Sequence, residues 1–181
     1  MSVTTVPLRP IKKGSMLKFW IGAAALAAVG TGLAMAGTET VVVQSMPAEQ
    51  FLAHNAREKG VITTASGLQY MILTEGAGPR PAAEDVVQVH YEGRLRDGTV
   101  FDSSYQRGEP VAFPLSQVIP GWTEGVQLMP VGSKFHFWIP PELGYGAEGA
   151  GGVIPPNAVL EFDIELLAIA PRGMVPGQPV P

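Results

Sequence analysis

The chain has 181 residues, 46% of them hydrophobic and 15% charged, enough apolar material for one buried core. It contains no cysteine and three histidines, which excludes disulfides, thiol catalysis, a lipid-modified N-terminal cysteine and the common zinc sites. The formal charge of −4 is uneven: Arg9, Lys12, Lys13 and Lys18 precede residue 19 without an acidic neighbour, while from residue 37 onward 8 basic residues stand against 16 acidic ones. Such an acidic body repels phosphate backbones, so nucleic acid is not an expected partner.

Residues 19–38, FWIGAAALAAVGTGLAMAGT, form a stretch without formal charge behind the basic segment. A positive n-region, an apolar h-region and the small-residue site Ala34-Met35-Ala36 together make a secretory signal. The same stretch is long enough to span a bilayer, its basic flank remaining in the cytoplasm. Residues 1–36 therefore read as a signal peptide or an N-terminal membrane anchor. The Ala- and Gly-rich composition favours cleavage, and the long n-region favours the anchor. Either way the folded part lies beyond the membrane, in the periplasm of a Gram-negative source, and membrane contact is expected through residues 19–38.

Residues 37–66 read as a linker and a short helix. The helix is predicted over Pro47–Lys59, with Pro47 suited to a first turn and Gly60 to a C-terminal cap. From Leu68 the pattern changes to strands. Leu68–Leu73 is the first, and Val86–Leu95 the second, with Val87, Val89 and Tyr91 on one face. Arg96-Asp97-Gly98-Thr99 carries an Asp-Gly turn signal. Val111–Leu115 is a short strand, and Trp122–Leu128 a helix after Pro120-Gly121. In Ser133–Ile139, Phe135, Phe137 and Ile139 face inward, with Lys134, His136 and an exposed Trp138 outward. Leu160–Leu166 turns Leu160, Phe162, Ile164 and Leu166 to the core and Glu161, Asp163 and Glu165 to water. One-sided strands of this kind predict an antiparallel sheet with one wet face, covered by the single helix, in an α+β fold. Residues 171–181 read as a disordered Pro/Gly-rich tail.

No G-x-S-x-G elbow, P-loop or H-E-x-x-H motif occurs. His54, His90 and His136 have no matching partners, and no metal or cofactor is expected. What stands out instead is a set of aromatic and aliphatic residues near loops: Tyr91, Phe101, Asp102, Phe113, Val118, Ile119, Trp122, Tyr145, Ile154 and Phe162. Each alone could be core. As a set they include two phenols and a carboxylate that need partners if buried.

Four strings in order, VHYEGRLRDGTVFDSS (89–104), QVIPGWTEGVQLM (117–129), LGYGAEG (143–149) and VIPPNAVLEFDIELL (153–167), resemble the FKBP family of peptidyl-prolyl cis-trans isomerases. The lead-in FLAHNAREKGVITTASGLQY (51–70) is similar to that of exported Gram-negative members. The resemblance places the isomerase domain at residues 67–170. It implies a curved antiparallel sheet wrapped around one short helix, with a pocket between them. It implies Tyr91, Asp102 and Tyr145 as the catalytic polar groups. Trp122 is then the pocket floor, Phe101, Phe113 and Phe162 the walls, Val118 and Ile119 the rim, and Ile154 a further substrate contact. The Ile119 N–H and Tyr145 hydroxyl would bond substrate carbonyls.

Proline-containing polypeptides are the implied clients and macrolides the implied ligands, with no covalent intermediate. A dozen helical residues before the domain are too few for the family's long dimerisation helix, so a monomer is expected. Two departures from the family pattern stand out: Ala150-Gly151-Gly152 replaces a loop that carries His in some members, implying a looser loop, and Val111 stands where an aromatic residue is frequent. The competing readings are a non-catalytic chaperone or peptide-binding module using the same pocket, and a membrane-tethered assembly factor.

Overall fold

A computed structural model describes residues 46–170. The signal or anchor segment, most of the linker and the C-terminal tail lie outside the described residues. The elements in chain order are helix α1 (Ala48–Asn55), β1 (Ile62–Thr63), β2 (Gln69–Thr74), β3 (Val86–Leu95), β4 (Val100–Ser103), a one-turn helix α2 (Ser104–Arg107), β5 (Val111–Pro114), helix α3 (Pro120–Gln127), β6 (Lys134–Ile139) and β7 (Leu160–Ala170). Short 3₁₀ turns at Leu115–Gln117 and Pro141–Leu143 flank α3 and β6.

The seven strands form one antiparallel sheet in the order β1-β2-β6-β7-β3-β4, with β5 pairing β3 beside β4. The alternation read from the sequence sets its faces. Val87, Val89 and Tyr91 on β3, Phe135, Phe137 and Ile139 on β6, and Leu160, Phe162, Ile164 and Leu166 on β7 are all buried. They pack on one stripe of α3, where Gly121, Trp122, Gly125 and Val126 are buried. The two glycines are there for distance. A Cβ on Gly121 would stand 2.6 Å from Ile139 Cγ2, and one on Gly125 2.7 Å from Phe137 Cε1. The bare backbone therefore brings α3 onto β6, and Trp122 is lowered with it into the concave side of the sheet.

Strands β1 and β4 and the one-turn α2 were not expected from the sequence, and three of the expected elements are bounded differently for a physical reason. Helix α1 ends at Asn55, and turns fill the chain to Gly60. Strand β7 continues past Leu166 to Ala170, because β3 pairs with it along its length, Val86 opposite Ala170. Helix α3 starts at Pro120, whose missing N–H costs nothing in a first turn.

The lead-in also docks on the sheet. Asn55 Nδ2 donates to Gln69 Oε1 at 2.9 Å, Gln69 Nε2 donates to the Leu52 carbonyl at 2.8 Å, and both side chains are buried. Arg96 lies over the Phe51 ring at 4.8 Å and donates to the Met46 carbonyl at 2.6 Å. On the wet face, Trp138 is half-buried rather than exposed, because it packs edge-on against His136 at 4.2 Å. His136 in turn bonds Asp163 at 2.7 Å.

Candidate active site

The site forms where strand β3 changes partners. Its first half pairs with β5 and its second with β4. At the gap, the Tyr91 N–H would lack a strand partner. The buried Ser104 supplies one: its Oγ accepts from the Tyr91 N–H at 2.8 Å and lies 3.2 Å from the Tyr91 carbonyl. The Tyr91 backbone is thus held at a break in the sheet, with its side chain turned inward.

Around Trp122 the rings stand edge to face. Tyr91, Phe113 and Phe162 have centroids 5.1, 5.5 and 5.3 Å from Trp122, at interplanar angles between 82° and 87°. Phe101 meets Phe162 in the same way at 5.4 Å. This geometry sets positive ring edges on negative faces and holds a rigid aromatic box. Ile154 is buried in the hydrophobic core of which this box is a part, and Val118, Ile119, Phe113 and Tyr145 pack against that core while remaining partly accessible. Nine of the ten residues singled out in the sequence therefore belong to or pack on the hydrophobic core, Phe113, Val118, Ile119 and Tyr145 with part of their surface accessible, and Asp102 is tied to it through Tyr91.

One polar network enters this box. The Tyr91 hydroxyl donates to Asp102 Oδ2, and Arg107 Nη1 donates to Asp102 Oδ1. Arg107 Nη2 also donates to the Tyr91 oxygen at 2.7 Å. Burial, together with the bond to Asp102, pushes the Tyr91 phenol well above its ordinary value. Burial, with a further push from the Asp102 charge, raises Tyr145 to about 12. Both phenols are therefore neutral donors at physiological pH. The Ile119 carbonyl caps α3 by accepting from Trp122 and Thr123, whereas no backbone carbonyl among the described residues accepts from the Ile119 N–H.

Two residues here were missed by sequence reading, Arg107 and Ser104. Arg107 could have been found: it is the only Lys or Arg between Arg96 and Lys134, and a partly buried Asp102 needs a cation. Ser104 carried no signal, since its role exists only because β4 and β5 leave a gap. The Ala150-Gly151-Gly152 loop is closed by reciprocal backbone bonds of 3.0 Å between Ala150 and Ile154, with Gly149, Gly151 and Gly152 at positive φ.

Residues 78–167 match the family described as FKBP-type peptidyl-prolyl cis-trans isomerase, and residues 25–72 match the domain amino-terminal to it. The crystal structure of a peptidyl-prolyl cis-trans isomerase from Pseudomonas syringae pv. tomato superposes with a TM-score of 0.65 at 42% identity, covering 78% of this chain and 100% of that one. The chain belongs to the FKBP-type peptidyl-prolyl cis-trans isomerase family. The curved sheet over one short helix is accordingly the FKBP fold.

FkpA from Escherichia coli aligns with a TM-score of 0.66 at 48% identity, covering 68% of this chain and 58% of that one. By sequence, the FKBP-type isomerase FkpA of Aeromonas hydrophila is 64% identical over 121 residues, 67% of this chain and 45% of the relative. The 22 kDa FKBP-type isomerase of E. coli is 55% identical over 128 residues, 70% of this chain and 62% of the relative. The outer membrane protein MIP of Legionella longbeachae is 47% identical over 121 residues, covering 67% and 52%. The chain spans about half the length of the relatives matched by sequence. Among the described residues no helix is long and apolar enough to cross a membrane.

Proposed function

We propose that the chain is a peptidyl-prolyl cis-trans isomerase that assists the folding of exported proteins. The observation that carries this reading is the aromatic box on Trp122 with one neutralised polar network, Tyr91–Asp102–Arg107, at its wall. A proline ring fits such a box by apolar burial, worth roughly 25 cal/mol per Å².

The X–Pro bond rotates over a barrier of about 18–20 kcal/mol because the amide is conjugated. Uncatalysed exchange takes tens to hundreds of seconds. Twisting the bond removes the conjugation and leaves a less dipolar amide. Water stabilises the planar form more than the twisted one, and an apolar box removes that preference. In this reading Trp122 is the floor under the proline, and Phe101, Phe113, Ile154 and Phe162 are the walls. Val118 and Ile119 form the rim. The Ile119 N–H and the Tyr145 hydroxyl hold the flanking carbonyls while the bond turns. Asp102 is the polar group at the rotating amide. Tyr91 and Arg107 fix its orientation, and the Arg107 guanidinium neutralises its charge. No nucleophile or general acid is required.

The location follows from residues 19–38, either a cleaved signal or an inner-membrane anchor, with the domain in the periplasm. That location and the membrane contact rest on residues 19–38, outside the described residues, whereas the monomeric state rests on the shortness of α1. Macrolides that carry a proline-like ring would compete for the same box.

The test separates catalysis from holding. Turnover of a short X–Pro peptide and capture of an unfolded, proline-containing client are measured for the full chain and for Asp102→Ala. The isomerase reading expects turnover in the parent and a large loss in the variant. Client capture that survives in both, with no turnover in the parent, would establish a binding module instead.

A further inference from the structure

Helix α3 has a second stripe. Its buried face carries Trp122 and Val126, and its outer face carries Pro120, Thr123, Glu124 and Gln127, three and four residues apart and therefore in line. Between this outer face and the segment leading into the helix lies an open groove of about 490 Å³, lined by those four residues with Ser116 and Val118. Val118 belongs to both: it packs against the hydrophobic core that holds Trp122, next to Ile119 at the start of α3, and it borders the groove. The groove thus continues the candidate active site along the outside of α3. An eight-residue helix is about 12 Å long, which accommodates three or four extended residues.

Glu124 is the one charged residue in the groove. Its carboxylate is held in place, because Ser66 Oγ donates to Glu124 Oε2 at 2.6 Å and Thr64 Oγ1 lies 2.9 Å from Ser66 Oγ. These partners reach it from the turn between β1 and β2, 58 residues away in sequence for Ser66. Both are neutral hydroxyls. Among the described residues no Lys, Arg or His forms an ion pair with Glu124, whereas Glu92 and Asp102 each have one such partner and Asp163 has two. The other groove groups are quiet: Thr123 Oγ1 donates to the Leu115 carbonyl, and Gln127 Nε2 to the Thr123 carbonyl. The groove therefore presents one oriented, uncompensated negative charge beside the pocket rim.

The geometry points to this groove as an extended substrate subsite that selects a lysine or arginine a few residues from the isomerised proline, with Glu124 as the residue that reads it. This inference rests on the isomerase reading, since the occupant is the client segment that leaves the pocket over Val118. A half-exposed ion pair contributes modestly, so the selectivity between a basic and an acidic side chain is about 3- to 10-fold, and it weakens with salt.

The experiment uses the full chain and matched peptides with one X–Pro bond. Lys or Glu is placed two to five residues from the proline on either side, and kcat/KM is taken at low and at 1 M salt. A parallel arm measures binding of the same peptides by fluorescence anisotropy. The expected result is a position at which Lys is preferred over Glu by about 3- to 10-fold. The preference disappears in Glu124→Gln, reverses in Glu124→Lys and shrinks in high salt. Each preference is a ratio within one preparation, so a loss of folded protein in a variant cancels. Equal use of Lys and Glu at every position, or a preference that persists in Glu124→Gln, would overturn the subsite. If no peptide were turned over, the isomerase reading would fail by itself. The anisotropy arm would still decide the groove, by the presence or absence of a Glu124-dependent preference in binding.

Discussion

Replacing Tyr91 with Phe keeps the ring in the aromatic box and removes one oxygen. That oxygen donates to Asp102 and accepts from Arg107 at 2.7 Å. Tyr91 is 2% exposed, so water does not replace it freely. A hydrogen bond to a charged group contributes about 1.5–3 kcal/mol net. Two such bonds are lost. However, Asp102 and Arg107 keep each other, and the Arg107 side chain is 42% exposed and can turn to water. One bond's worth is therefore the expected cost, about 1.5–3 kcal/mol. For a unit of this size that is about 5–10 °C in Tm. Urea denaturation followed by circular dichroism reads it directly. A cycle with Asp102→Ala should give a coupling of at least about 1 kcal/mol, because the two groups share one bond. A Tyr91→Phe protein within about 0.5 kcal/mol of the parent, with no coupling, would refute the network as the determinant of the Tyr91 and Asp102 positions.

Three further outcomes follow from the same geometry. Gly125→Ala places a methyl 2.7 Å from Phe137 Cε1, a ring that is 1% exposed and cannot retreat. Overpacking of about 1–3 kcal/mol outweighs a helix-propensity gain of up to about 1 kcal/mol, so chemical denaturation should find the variant less stable, and an unchanged midpoint would contradict the close approach of α3 to β6. Asp163 is held below its ordinary value of 3.8 by the His136 hydrogen bond, against burial and with help from His136, Arg94 and Lys134 charges. Its contribution is therefore full above about pH 4 and is lost as pH falls through the folded value. The stability gap between parent and Asp163→Asn should be wide at pH 6 and narrow toward pH 3, whereas a constant gap would contradict this. Finally, Tyr145 titrates at about 12 and Tyr91 higher still, so kcat/KM of the stable enzyme should be flat from pH 7 to 10, and an activity loss centred between 8 and 9 would exclude the phenols as neutral donors.

The strands with strict alternation were legible before any coordinates. In β6 and β7 each inward residue read from the sequence is buried, because period-two patterning is imposed by a sheet with one wet face. Strand β4, Val100–Ser103, was not read, although the Asp97-Gly98 turn pointed to a hairpin partner for β3: four residues are too few to count a period. The same holds for α2, whose single turn is capped by Ser103 and closed by Gly108 at positive φ. The aromatic part of the site was legible because its rings recur within recognisable strings. Its polar support was not, since Arg107 and Ser104 act through contacts that arise only when β4 and β5 part around Tyr91. Trp138 was misjudged because alternation predicts the face of a sheet and not the neighbours on that face; His136 covers it.

Everything proposed for this chain depends on the box on Trp122 turning X–Pro bonds. The most direct test follows cis-to-trans exchange of a short X–Pro peptide by the full chain, with and without excess macrolide. A box that turns X–Pro bonds accelerates this over the uncatalysed exchange of tens to hundreds of seconds, and the macrolide abolishes the acceleration. Exchange at the uncatalysed rate in a sample whose circular dichroism confirms the folded sheet would contradict it.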